Sequence, residues 1–191
     1  MERIILKKDD IDFLKFRYPD LLYDKINNSV SGSLHFCRSY KGKKICSKYS
    51  IEFKLEHNDN SILPEVRETK GRILNIAKRK KLTFSDVHLN SLDGVMCLIL
   101  TIKEKEFYPN GFDFKSFMNH LEEHFYWITY FDRYNKKPWE DEPHNRIEAF
   151  EKAAKENKLY RTDLKAALEK KEKRKLSRPE FRRYMKTKNI L

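Results

Sequence analysis

The residues best suited to chemistry in this chain of 191 lie between His88 and Leu100, in HLNSLDGVMCLIL. A His-x-Asn element, His88 and Asn90, stands nine residues ahead of Cys97, with Gly94 three before the cysteine and Leu98 directly after it. A cysteine thiolate attacks carbonyl carbon and carries the acyl group as a thioester. The tetrahedral intermediate of such a transfer bears an oxyanion that needs a hydrogen-bond donor, and the Asn90 amide is the candidate, acting directly or by fixing the loop. His88 is read as organising that loop through its ring nitrogens, not as a general base. A plainer reading stands beside this one: VMCLIL is a greasy run in which an unpaired cysteine simply fills space, and Asn90 marks a turn.

These residues must be positioned by elements whose periods can be read. In DDIDFLKFRYPDLLYDKI, Ile11, Leu14, Tyr18, Leu21, Leu22 and Ile26 recur at helical spacing, which predicts a helix broken in two with Pro19 opening the second piece. The period then changes to two. SVSGSLHFCRSYKGKKICSKYSIEFKLEH alternates apolar and polar residues about Lys41-Gly42, a β-hairpin or meander. A further strand is expected within Glu65–Ile73, a short basic connection at Lys78–Lys81, and a buried strand is open for Val95–Ile102. Helical spacing returns with Phe114, Phe117, Met118, Leu121, Phe125, Ile128 and Phe131 behind an Asp113 cap. Another helix begins at Arg146, and a charged helical tail breaks at Arg178-Pro179. Helix, strands, then helices is an α+β order: an N-terminal helix, an antiparallel meander of about four strands, and C-terminal helices with a basic tail.

With this order of elements, the His88–Leu98 pattern resembles the ubiquitin-conjugating (E2) superfamily, whose signature is His-Pro-Asn, a short loop, Gly, two residues, then the catalytic Cys and Leu. Pro64 in LPEVRE matches the proline before the family's last strand. The resemblance is closer to divergent bacterial E2-like proteins, through Gly71-Arg72-Ile73 and through Pro138 followed six residues later by His144 with Asp141 between. It spans roughly residues 10 to 155. Leu89 replaces the family proline, the loop to the cysteine is about one residue shorter than the commonest eukaryotic pattern, and ILTIKEKEF stands where eukaryotic enzymes carry a Trp, so their E3-docking surface is not expected. The resemblance implies a UBC-like fold. It implies that Cys97 takes a ubiquitin-like protein as a thioester from an E1-like activating enzyme and passes it to an amine on a target. Asp141 and His144, if they approach Cys97, would orient or deprotonate that amine; Tyr126, Tyr130 and Asp132 are weaker candidates for the same cleft. The carrier itself needs no cofactor or metal, and ATP would be used by the E1 partner. The alternatives are a catalytically inactive E2-like binding or scaffold protein, and a basic nucleic-acid-binding protein acting through its C-terminal tail.

Composition bounds the rest. With 39% hydrophobic residues, 13 Phe, 10 Tyr and 2 Trp, the chain is too apolar to be wholly disordered. No apolar run is long enough to span a bilayer and the start, MERIILKKDDID, is charged, so no membrane span or secretory leader is expected and a cytoplasmic protein is. The net charge of +12 suggests a polyanionic partner, but residues 158–191 hold 13 Lys or Arg against 4 Asp or Glu, leaving 28 against 25 in residues 1–157. The division expected is therefore a nearly neutral body, 1–157, and a basic extension, 158–191, that is either a solvated helix or a binding element for nucleic acid, an anionic membrane or an acidic partner; Tyr160, Phe181 and Tyr184 add stacking groups, but spread over that length they are a weak nucleic-acid signal. Three cysteines without a CxxC pair argue against a disulfide framework or zinc site; Cys37 and Cys46 face each other if SYKGKK closes a hairpin, and are expected as thiols.

Overall fold

The computed structural model describes residues 2–57, 61–139 and 146–191. It is mixed α+β: an N-terminal helix, a four-stranded antiparallel sheet, and several C-terminal helices. Compactness divides the chain into Met1–Asp141 and Glu142–Leu191, whereas the boundary at 157 follows the change in charge.

In the first unit, α1 (Lys8–Arg17) is capped when the Asp10 carboxylate accepts the Lys7 amide at 3.1 Å. The second helical piece expected after Pro19 is instead a strand, β1 (Leu21–Asp24), paired with β2 (Ser29–Tyr40). The reason is local. Asp24 Oδ1 accepts the amides of Ile26 and Asn27 at 2.8 and 3.1 Å, closing a turn that a helix could not contain. Leu22 and Ile26, assigned to the apolar face of a helix, are exposed as a result.

β2 and β3 (Lys43–Lys54) form the long hairpin, joined by Lys41-Gly42 with φ of 45° and 76°. Two successive positive φ values give the turn whose twist suits a tight hairpin. β4 (Val66–Glu68) is shorter than expected and completes the order β1-β2-β3-β4. Chain direction changes there because the buried Glu68 carboxylate accepts the amides of Lys70 at 2.9 Å and Ile73 at 3.1 Å, capping α2 (Arg72–Lys80) where Gly71 has no side chain to do so. Gly71-Arg72-Ile73 thus opens a helix and does not end a strand, and Lys78–Lys81 is that helix's C-terminus, not a connection. Ile73, Ile76 and Ala77 are its buried face.

The sheet's inner face carries Leu34, Phe36, Ile45, Tyr49, Ile51 and Phe53, all buried. Against it lies α4 (Phe114–Tyr134), with the short α3 (Glu104–Phe107) ahead of it in the chain. Asp113 caps α4 by accepting the Ser116 amide at 2.8 Å. Tyr49 stacks on Phe125 with centroids 4.3 Å apart, Phe53 meets Phe117 edge-on at 5.3 Å, and the Tyr49 hydroxyl bonds Thr129 Oγ1 at 3.0 Å. Each such large side chain, fully buried, is worth about 1.5–3 kcal/mol. Glu122 of α4 is buried and accepts from the Tyr18 hydroxyl at 2.9 Å, Arg17 at 3.1 Å and Arg38 at 3.3 Å, fastening α1 and β2 to one helix.

The outer face of the hairpin is polar. Cys37 and Cys46 are register partners there, both exposed, with Cα atoms 4.1 Å apart, and they are joined as a disulfide. This corrects the expectation of thiols: the hairpin brings the two side chains to one position on one face, where pairing closes only a short loop.

In the second unit, α5 (Arg146–Glu156) and α6 (Arg161–Glu172) pack together across a single turn at Lys158–Tyr160, and α7 (Arg178–Thr187) follows. The tail is helical as expected, with its break at 173–177. Ser177 and Glu180 form a capping box, and Pro179 occupies the second helical position, where its missing N–H costs nothing.

Candidate active site

The candidate site is a small hairpin hung on β4. Thr83 and Asp86 bond each other ahead of a 3₁₀ turn, Ser85–Val87, which ends when His88 turns left-handed at φ 57°. Leu89 then bridges Met96 antiparallel. The Asn90 amide donates to the Val95 carbonyl at 2.7 Å and the Cys97 amide to the His88 carbonyl at 2.8 Å. His88 and Asn90 are therefore one arm of a hairpin, and Cys97 ends the other.

The tip is held from two sides. Asp93 accepts from the Ser91 hydroxyl and from Arg67, and the Ser91 bond in particular holds its carboxyl below the usual carboxylate range. Gly94, at φ 91°, lets the tip lie flat on β4: a Cβ there would run into the Glu68 carbonyl. The Glu68 amide donates to the Gly94 carbonyl at 2.9 Å, and the Met96 amide to the Val66 carbonyl at 2.8 Å. The expected strand at Val95–Ile102 is thus limited to isolated bridges at Val95 and Met96, because from Cys97 onward the backbone leaves β4 and turns into short helices.

Cys97 is a free, half-buried thiol. Burial pushes it above the ordinary thiol value, and no charged group among the described residues offsets that. Asn90 is exposed, but its Nδ2 donates to the Met96 carbonyl at 3.2 Å, the residue directly before the cysteine. In this arrangement Asn90 fixes the loop. His88 lies against α4, its ring 4.6 Å from Trp127 and 5.3 Å from His124, both edge-on. Those two α4 residues were missed in the sequence; their spacing of three marks one helix face, but nothing in the pattern says which loop that face supports.

Asp141 and His144 lie outside the described residues. The weaker candidates have other employment: the Tyr126 hydroxyl donates to the Lys43 carbonyl at 2.8 Å, Tyr130 packs on Tyr134, and Asp132 pairs with Arg79 and Lys80 of α2.

Chemically, the arrangement offers a thiol at the end of a backbone-locked hairpin, its neutral form favoured by burial, with the Asn90 side chain bonded to the residue before it. No helix among the described residues is long and apolar enough to cross a membrane. Comparison with protein-family models, with curated proteins and with solved structures gives no match to this chain.

Proposed function

We propose that the chain is an E2-like carrier in which Cys97 accepts a ubiquitin-like protein from an E1-like enzyme and passes it to an amine. One observation carries this reading: His88-Leu89-Asn90 and Cys97 face each other across one hairpin, with the Asn90 side-chain amide tied to the residue before a free, half-buried thiol. The order of a helix, a β1-β2-β3-β4 meander, the hairpin and a long helix under the sheet supports a UBC-like fold as well.

In the first step the Cys97 thiolate attacks the thioester carbonyl; a new S–C bond forms and the E1 thiolate leaves. In the second, a target amine attacks the same carbonyl, the Cys97 thiolate departs, and the amine's proton passes to a base. The raised thiol pKa makes Cys97 a poor nucleophile alone and a good sink for a proton after transfer, so its deprotonation belongs to the complex with E1. Charging tests this: incubation with a cognate E1, its ubiquitin-like protein and ATP gives an adduct that dithiothreitol removes and that Cys97→Ala abolishes. Absence of a reducible adduct, or its survival in Cys97→Ala, overturns the reading.

The same burial of the thiol favours a second reading, a silent E2-like scaffold. Its test is maleimide labelling of the folded protein: labelling only after denaturation belongs to the scaffold, labelling in the native state to the carrier.

A further inference from the structure

The second unit carries a charged surface that the thiol chemistry does not use. Between residues 170 and 188 stand ten Lys or Arg and two acidic residues, Glu172 and Glu180. Both acids are taken by one partner, Arg174, at 2.9 Å each. Lys175 pairs with Glu169 and Lys188 with Glu151, outside that stretch. At the end of α6, Lys170, Lys171 and Lys173 are exposed and have no ion pair among the described residues; along α7 the same holds for Arg178, Arg182, Arg183 and Lys186.

The four on α7 are not scattered. Arg178, Arg182 and Lys186 follow at intervals of four, and Arg183 lies beside Arg182, so they form one stripe about 12 Å long. The stripe adjoins the buried side, where Phe181 and Met185 lie. α7 is held to its unit by the Tyr184 hydroxyl on Glu151 and by Arg161, which donates to the Ile190 carbonyl at 2.8 Å. A stiff helix therefore presents the charge.

The partner's class follows from what the stripe lacks. An acidic protein would be bound through an apolar centre with a charged rim, whereas α7 exposes charge and keeps its large apolar residues buried. Insertion into an anionic membrane needs an outward apolar face, which is absent for the same reason. Single-stranded nucleic acid is gripped by exposed aromatic rings; Phe181 is buried, and Tyr160 and Tyr184 are half-buried, the latter with its hydroxyl engaged. Phosphate contact to a duplex requires only cations in a row. The diameter of a helix, about 10–12 Å with side chains, matches the major groove of B-form DNA, about 12 Å wide, and not the narrow one of duplex RNA.

We infer that Glu142–Leu191 is a binding module for duplex DNA that grips phosphates, without regard to sequence, through the α7 stripe and the lysines ending α6. Its affinity falls in the range usual for non-specific binding, on the order of 10⁻⁵ M at physiological salt.

The test uses the full chain and the fluorescence anisotropy of a labelled 20-base-pair DNA duplex of mixed sequence, titrated across salt concentrations. Single-stranded DNA, duplex RNA and poly-glutamate serve as competitors. The variant Arg178→Gln/Arg182→Gln/Arg183→Gln/Lys186→Gln is compared with Lys25→Gln/Lys44→Gln/Lys48→Gln/Lys54→Gln, which removes equal charge from exposed positions of the first unit; circular dichroism establishes that both are folded. The expected result is duplex binding whose log-log salt slope is shallower by about 3–4 in the α7 variant, roughly 0.9 per lost contact, and little changed in the control. Equal loss in both variants, stronger competition by single strands, duplex RNA or poly-glutamate than by duplex DNA, or binding insensitive to salt would overturn the inference.

Discussion

The Asn90 side-chain amide donates to the backbone carbonyl of Met96 across 3.2 Å, so the asparagine of the His-x-Asn element restrains the residue directly before Cys97. Asn90→Ala removes that bond from a partly exposed site and is expected to lower stability by about 1 kcal/mol, measured by urea unfolding. Asn90→Asp sets a carboxylate against a carbonyl and is expected to cost at least as much. If both variants unfold like the parent, the bond does not hold the hairpin.

Gly94 is the tightest point of the site. Gly94→Ala puts a Cβ against the Glu68 carbonyl and demands a left-handed backbone from a residue that resists it. A loss of about 2–4 kcal/mol is expected, with amide exchange accelerating at Glu68 and Met96, whose N–H groups pair with the hairpin and β4. Unchanged exchange at these two amides would mean that the hairpin does not depend on this close approach.

Burial raises the Cys97 thiol, which fixes a direction for its pH dependence. The native protein's alkylation rate should rise through a midpoint above the ordinary thiol value of about 8.5 and fall to that value in denaturant. The neutral thiol is favoured by folding, so its contribution to stability is complete below the unfolded-state value and is lost as pH rises through the folded one. A native midpoint at or below the denatured one would contradict the burial described.

Glu122 gathers Tyr18, Arg17 and Arg38 onto α4 from inside the protein. Glu122→Ala leaves Arg38 with Glu123 but strands the buried Tyr18 hydroxyl, and a loss of about 3 kcal/mol is expected. Glu122→Gln keeps an acceptor for Tyr18 and should lose less. Equal losses would assign the effect to the carboxylate's charge on Arg17 and Arg38 and not to the hydrogen bond from Tyr18.

A thiol count checks the disulfide. Ellman titration of the denatured, unreduced protein should find one thiol, Cys97, and three after reduction. Three before reduction would return Cys37 and Cys46 to the thiols that the sequence led one to expect.

Much of this architecture is legible in the residues. The two-residue period on either side of Lys41-Gly42 specifies the hairpin, because only one register buries both Leu34 and Tyr49. The helical period from Phe114 specifies α4. What misled was short range. Leu21, Leu22 and Ile26 sit at helical spacing, yet Asp24 captures two backbone amides and makes a turn, and strand pairing with Ser29–Gly32 then prevails. α2 was hidden because its cap comes from Glu68, before the glycine, and not from a residue at the cap position. At the site, His-x-Asn and the cysteine could be paired by spacing alone, while the support from His124 and Trp127 depends on how α4 is rotated against the hairpin, which no local pattern encodes.

The most direct test of the carrier reading is to locate the acyl bond. After charging with E1, ubiquitin-like protein and ATP, peptide mapping under non-reducing, mildly acidic conditions should place one ubiquitin-like remnant on Cys97, cleaved by neutral hydroxylamine. A remnant on a lysine alone, on Cys97→Ala protein, or on no residue would contradict it.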